Sequence, residues 1–316
     1  MSLSFDKSSD SDAIAVVRGG DMDGAILYLN DGTPGSKKPI KREINAIMYE
    51  DDLKPFKPNE RVKIINRLQE ALNKEVPVEN LVGESEGIKS LYRKIVEDKT
   101  YEKHIELPTD STFQCIPSAD PKKRQVWYVA GQSGSGKSYF ARGVAESYKK
   151  LYPDREVYLI SKLTQDETLD KSKIAKPKRI SLDSLVSDPP ELEEFENCLV
   201  IFDDFDTLDK PYDKVVLKLI EDLCIMGRHT NTSLLILSHF LSNYKKTRLI
   251  LGECQFLVLY PLATSFKALK YVSEMYGGLD KEQVQNFKKL GRWVCIHKNY
   301  PVYIISSHSA YLPHHA

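Results

Sequence analysis

The chain has no excess of either charge: lysine and arginine number 45, and aspartate and glutamate number 45, in 316 residues. A nucleic-acid partner therefore cannot be argued from net charge and would need a local basic patch. Long apolar runs are also missing. No stretch approaches the roughly 20 residues that a membrane-spanning helix needs. The opening Met1-Ser2-Leu3-Ser4-Phe5-Asp6-Lys7 lacks the apolar core of a signal peptide, so the expectation is a soluble chain. Cysteine is scarce and scattered. Cys115, Cys198, Cys224, Cys254 and Cys295 contain no C-x-x-C pair, which argues against a zinc ribbon and against a disulfide framework. Cys198, Cys224 and Cys295 sit in apolar runs and read as buried thiols, which suits a reducing compartment. Internal repeats and long low-complexity tracts are absent.

What is present is a folded core, since 41% of residues are hydrophobic. Residues 1–118 read as an α+β extension of unknown role. Ala13–Val17 and Ala25–Leu29 have the pattern of short strands, joined through Gly19-Gly20 and Asp23-Gly24. Gly32–Pro39 is a Gly/Pro/Lys loop, and Lys37-Lys38 and Lys41-Arg42 make this region basic in the manner of a solvated loop. Asn59–Lys74 predicts an amphipathic helix with Val62, Ile65, Leu68 and Leu72 on one face, and Glu84–Glu97 predicts a second. No catalytic constellation stands out here.

From residue 119 onward strand and helix patterns alternate, the signature of a mostly parallel sheet with helices on both faces. The strand candidates are Val126–Ala130, Val157–Ile160, Cys198–Phe202, Leu234–Leu237 and Phe256–Leu259, each short and apolar as buried parallel strands are. Helices are expected over Tyr139–Tyr152, Pro211–Arg228, Thr264–Tyr276 and Asp280–Leu290, the third ended by Gly277-Gly278 and the fourth by Gly291. Trp293–His297 and Val302–Ile305 close the 119–316 domain as a hairpin-like pair.

Residues Gly131-Gln132-Ser133-Gly134-Ser135-Gly136-Lys137-Ser138 form a complete phosphate-binding motif between a strand and a helix. Glycines let the backbone wrap a phosphate, and the helix N-terminus aims N–H groups at it. Lys137 is placed to reach the β- and γ-phosphates of ATP, and Ser138 to hold Mg²⁺. Tyr139 joins this nucleotide-binding set. A second motif, Leu199-Val200-Ile201-Phe202-Asp203-Asp204, ends a central strand in two carboxylates, where open α/β sheets build their sites. Asp203 is expected in the Mg²⁺ shell and Asp204 as the group that orients or deprotonates water. Asp206 and Asp209 read as turn or helix-start residues. Ser238 or His239, after the next strand, is placed to sense the γ-phosphate. A cation there, Arg228 or Arg248, would supply transition-state charge, Arg228 from a neighbouring subunit. Arg142 reads as a surface residue.

Taken together, the phosphate-binding loop, Val200-Ile201-Phe202-Asp203-Asp204, the stretch Gly227-Arg228-His229-Thr230-Asn231 running to Ser238-His239, and Arg248 resemble the poxvirus-type genome-packaging ATPases of large DNA viruses, within the FtsK/HerA superfamily. The resemblance covers roughly residues 121–307. It departs from the pattern at His239, where many relatives carry glutamine, and at Asp204, where the wider superfamily often has the longer glutamate. The resemblance implies an α/β P-loop NTPase fold of the additional-strand, RecA/FtsK-like kind, with strand order 5-1-4-3-2. It implies a homo-oligomeric ring that hydrolyses ATP with Mg²⁺ to move double-stranded viral DNA into a capsid. Capsid or membrane-vertex proteins would be further partners, and the host cytoplasm or the virion the location. The segment Lys162–Lys178 is a candidate DNA contact on charge grounds. A nucleoside or nucleotide kinase and a non-motor ATP-binding scaffold are the competing readings. Against the kinase stand the paired carboxylates and the absence of an arginine-rich lid pattern.

Overall fold

Alternation along the central strands sorts their side chains into two cores. In the computed structural model, which describes residues 2–7, 11–30, 53–74 and 76–313, strand β6 (Val126–Ala130) sends Trp127 and Val129 to one face. Val126, Tyr128 and Ala130 go to the other. The same period of two divides Leu235 and Leu237 from Leu234 and Ile236. Strands buried on both faces carry apolar residues at every position, which is why these segments read as unbroken hydrophobic runs.

The chain forms two compact units, one of Met1–Ser2 and Gly32–His104, the other of Leu3–Asp31 and Ile105–Ala316. In this division the chain leaves the larger unit after its first strands and returns to it. The reason is a shared core. Val17, Leu27 and Phe113 from the early strands pack in one cluster with Val144 and Tyr148. No change of composition marks such a return.

In the smaller unit, helix α1 (Pro58–Asn73) opens with proline in its first turn, where the missing N–H costs nothing, and Glu60 accepts from Lys57 N at 3.1 Å. Ile64, Ile65, Leu68 and Leu72 face Ile88, Leu91 and Tyr92 of helix α2 (Glu86–Lys103). Val62, expected on that face, is 48% exposed; the buried stripe runs through Ile64 instead. The tyrosine hydroxyl of Tyr92 donates to Val76 O at 2.9 Å. The expected Gly32–Pro39 loop, with Lys37-Lys38, and the pair Lys41-Arg42 lie outside the described residues.

A four-stranded sheet of order β1-β3-β2-β5 contains β1 (Ser2–Ser4), β2 (Ser11–Arg18), β3 (Ile26–Asn30) and β5 (Thr112–Cys115). Strand β2 pairs antiparallel with β3 and β5, with Ala15 opposite Leu27 and Cys115. The ten-stranded sheet runs β4-β14-β13-β12-β11-β6-β10-β9-β7-β8. Its members are β4 (His104–Glu106), β6, β7 (Val157–Ser161), β8 (Lys178–Arg179), β9 (Leu199–Asp203), β10 (Ser233–Ser238), β11 (Phe256–Leu259), β12 (Val294–His297), β13 (Tyr303–Ser306) and β14 (Ser309–Tyr311). The pairs from β11 to β8 are parallel, and β12, β13 and β14 extend the sheet antiparallel. The hairpin expected from Trp293–His297 and Val302–Ile305 is β12–β13.

Helix α3 (Lys137–Leu151) covers one face of the large sheet. It buries Phe140, Ala141, Val144, Ala145 and Tyr148, an i, i+1, i+4, i+5, i+8 stripe. Gln114 of β5 ties the small sheet to it, donating to Gly143 O at 2.7 Å and to Ser147 Oγ at 2.9 Å. The other face packs against α5 (Tyr212–Met226), α6 (Tyr244–Glu253) and α7 (Phe266–Gly277), with α4 (Leu182–Ser187) and α8 (Lys281–Gln285) at its margins. Helix α7 ends at Gly278 with φ 68°, the left-handed cap that the Gly277-Gly278 pair predicts. All five cysteines are free and buried. No helix among the described residues is long and apolar enough to cross a membrane.

Candidate active site

Parallel strands put their C-terminal ends on one edge of the sheet, and β6, β9 and β10 deliver three short segments there. The first is Gly131–Gly136. Gly131 N donates to Ser238 O at 3.0 Å, so the loop leaves β6 still attached to β10. A Cβ on Gly131 would stand 2.7 Å from both Ser135 Oγ and Tyr260 Cδ2, so only glycine fits that start. Gly134 at φ 74° and Gly136 at φ 109° then curl the chain into the first turn of α3. The resulting concavity combines left-handed glycines, a helix N-terminus and a buried Ser135 Oγ without a partner among the described residues, a combination suited to an anion. Gln132, Ser133 and Tyr139 are exposed and Ser138 is half-buried.

Lys137 is 7% exposed, and its ammonium donates to Gly131 O at 2.9 Å. It also lies 3.4 Å from His239 Nδ1 and 3.7 Å from Asp204 Oδ1. His239 Nε2 is 2.9 Å from the same Asp204 oxygen. An ammonium has only protons to give, so Nδ1 is the acceptor in the lysine contact, while the approach of Nε2 to Asp204 is one of distance alone and leaves Oδ1 without a hydrogen-bond partner among the described residues. Lys137, His239 and Asp204, from three separate elements, thus close into one network.

Asp203, the last residue of β9, is 3% exposed and accepts from Ser161 Oγ at 3.1 Å. Burial, and then the adjacent charge of Asp204, push its carboxyl up to about 6. Lys137 acts in the opposite direction. A buried carboxylate lifted this far beside a second one is short of positive charge. That donor set fits a divalent cation, and Ser138 and Asp203 are the side chains that would hold Mg²⁺.

Asp204 itself adopts φ 51°, turning the chain sharply after the strand. The next carboxylate, Asp206, lies in the first turn of a short 3-10 helix, Phe205–Thr207, as a helix-start residue would, but it does more than cap that turn. It is 5% exposed. Its Oδ2 accepts from Ser238 Oγ at 2.8 Å, His239 N at 2.9 Å and Phe240 N at 3.1 Å. Lys246 Nζ donates to the Asp206 carbonyl at 2.9 Å. Asp206 therefore anchors the segment that carries His239, and Ser238 is occupied by this anchor. Asp206→Ala is expected to lower stability by about 3 kcal/mol, the scale of losing several hydrogen bonds to a buried charge. The urea midpoint should fall with an unchanged slope; an unshifted midpoint would remove Asp206 from this role. Asp209, in contrast, is an exposed residue paired with Lys162 at 2.7 Å.

The two arginines are not brought to this edge. Arg228 follows α5 and precedes Ser233, where β10 begins beside Leu199 and Val126. It therefore lies at the opposite edge of the sheet from the Gly131–Gly136 loop, exposed, with Nε 3.4 Å from His229 Nε2. Arg248 is exposed on α6, where it donates to Tyr244 Oη at 2.7 Å and lies over that ring. Arg142 pairs with Glu146 at 2.8 Å. In the Lys162–Lys178 segment, Lys162, Lys171 and Lys178 face Asp209, Glu167 and Glu156, so part of its positive charge is met locally. Sequence patterns also pass over Arg292, which donates to the carbonyls of Ser135 and Gly134 at 2.8 and 3.1 Å. Arg292 is more than 150 positions from the loop, and only the antiparallel extension of the sheet brings it there.

A central parallel strand feeding a glycine-rich loop into a helix, with β10 between it and the strand that ends in paired carboxylates, is the arrangement that a P-loop nucleotide-binding site requires. The chain belongs to the family of the uncharacterized protein V3 of Sputnik virophage, with which it shares 33% identity over 199 residues, 62% of this chain and 80% of that protein. Among solved structures it is similar to the genome packaging NTPase B204 of Sulfolobus turreted icosahedral virus 2 in complex with AMPPCP. That likeness has a TM-score of 0.39 at 13% identity and covers 58% of this chain and 98% of that one. The pCW3 conjugation coupling protein TcpA is similar with a TM-score of 0.41 at 16% identity, over 65% of this chain and 66% of that one. No protein-family model matches the chain.

Proposed function

We propose that this protein is an ATP-hydrolysing motor that moves double-stranded viral DNA into a capsid. The observation that carries the hydrolase part is the Lys137–His239–Asp204 network. It sets a carboxylate 3.7 Å from the lysine that the loop motif assigns to the phosphates. The loop backbone binds the phosphates, and Lys137 neutralises the β- and γ-oxygens. Mg²⁺ held by Ser138 and Asp203 would supply further positive charge to those oxygens. Asp204 accepts the proton of a water whose oxygen bonds to the γ-phosphorus as the bond to the ADP oxygen breaks. His239, fixed by Asp206, orients Asp204 and follows the γ-phosphate through its bond network.

The motor part is supported by the resemblance of the Gly227–His239 stretch to viral packaging ATPases, and the viral setting by kinship with an uncharacterized virophage protein. Arg228 sits far from its own loop, a placement that suits an arginine completing a neighbour's site in a ring. The test is ATP turnover with and without duplex DNA, alongside native mass. Expected are an oligomer, turnover that rises several-fold with duplex, and no phosphate transfer to nucleosides. DNA-independent transfer to a nucleoside would make the protein a kinase, and nucleotide binding without turnover in an assembled ring would make it a scaffold.

A further inference from the structure

Arg292 lies outside the loop and carboxylate motifs, yet its guanidinium grips the crest of the phosphate-binding loop. Nε donates to Ser135 O at 2.8 Å and Nη2 to Gly134 O at 3.1 Å. A Cβ on Gly136 would meet Nη2 at 3.3 Å and Cζ and Nε at 3.4 Å, so the guanidinium also lies against Gly136. The arginine is itself held. Arg292 N donates to Ser307 Oγ at 3.3 Å, and Phe113 N donates to Ser307 O at 2.8 Å. Gly291, at φ 118°, leaves no room for a side chain against Ser307. A continuous path thus runs from β5 through the turn between β13 and β14 to Arg292 and the loop.

A planar trans peptide points its C=O and N–H in opposite directions. Holding Gly134 O and Ser135 O on the guanidinium therefore turns the N–H groups of Ser135 and Gly136 the other way. Ser135 N closes the loop's own turn on Gln132 O at 3.1 Å. Gly136 N is directed to the face opposite the guanidinium. Two carbonyls at a fixed spacing suit a planar fork of donors, which lysine lacks.

We propose that Arg292 is a positioning residue for nucleotide binding, by which the C-terminal hairpin holds the loop in its phosphate-accepting shape. This rests on the assignment of Gly131–Ser138 as the nucleotide site. The test compares the parent chain with Arg292→Ala and Arg292→Lys in equilibrium titrations with a fluorescent ATP analogue. Turnover, urea midpoint without nucleotide, and titrations with added millimolar guanidinium accompany them. Arg292→Ala is expected to weaken binding ~30-fold, about 2 kcal/mol, and to raise KM alike. The same variant should leave kcat within about threefold and the urea midpoint nearly unchanged, since loss of uniform binding acts on KM alone. Guanidinium should restore part of the affinity, and Arg292→Lys should recover little. Unchanged affinity in Arg292→Ala overturns the proposal, as does a loss that guanidinium leaves untouched and that falls equally on kcat. If Arg292→Ala does not fold, Arg292→Lys decides: a clear affinity loss with a parent-like urea midpoint supports the role, and unchanged affinity overturns it. Failure of the parent chain to bind nucleotide overturns both this proposal and the nucleotide-site assignment. Parent binding with an unaffected variant overturns this proposal alone.

Discussion

Lys137→Ala is expected to weaken ATP binding by roughly 100-fold or more and to reduce turnover to background, the scale of losing a preorganised charged donor. The ammonium is almost fully buried and has three partners in place, Gly131 O, His239 and Asp204. Its removal leaves the loop curvature intact, because that curvature rests on Gly134, Gly136 and the close fit of Gly131. It takes away the positive charge that offsets Asp203 and Asp204, so an anionic ligand would meet two uncompensated carboxylates. The effect on folding should be much smaller than the effect on binding. Titration with a fluorescent nucleotide and a urea melt separate the two. Binding that stays within about threefold of the parent would mean that Lys137 does not face the phosphates.

Asp204→Asn has the second large effect, on a different quantity. Asparagine keeps the size of aspartate and an oxygen beside His239 Nε2, so the shape of the site survives. What it loses is the ability to take a proton, and kcat is expected to fall by about 10²- to 10⁴-fold. Nucleotide affinity should hold or improve slightly, because a negative charge next to the phosphate site has gone. Asp203 should titrate lower in this variant, since the neighbouring charge that helps raise it is removed. Single-turnover kinetics with saturating ATP measures the step directly. Parent-like kcat would assign the proton to another group.

Legibility in the sequence followed the physics of each segment. The five core strands announce themselves because burial on both faces demands apolar residues throughout, and Val126–Ala130 and Phe256–Leu259 have the expected limits. The phosphate-binding loop is legible because only glycine permits its conformations. Asp203 and Asp204 are legible because they interrupt an apolar strand. Asp206 was not, since a carboxylate three residues beyond a strand looks the same whether it caps a turn or is buried under another strand's end. Arg292 was invisible for a related reason, because its partners are backbone carbonyls and impose no pattern on the residues that bear them. The division into compact units was also hidden. Residues 3–31 join a core built from residues 105 onward, and neither stretch differs in composition from a freestanding extension.

The arrangement at Asp206 has a mechanical consequence. One carboxylate oxygen takes the hydroxyl of Ser238 and the N–H groups of His239 and Phe240, and Gly131 N is fastened to the carbonyl of Ser238. The strand end bearing His239 is therefore latched on one side to the turn that follows Asp204 and on the other to the start of the loop. A displacement of His239 on loss of the γ-phosphate would pull on both at once. Water activation and phosphate release would then be geared to one movement, and Lys246, fastened to the Asp206 carbonyl, would pass that movement into the first turn of α6.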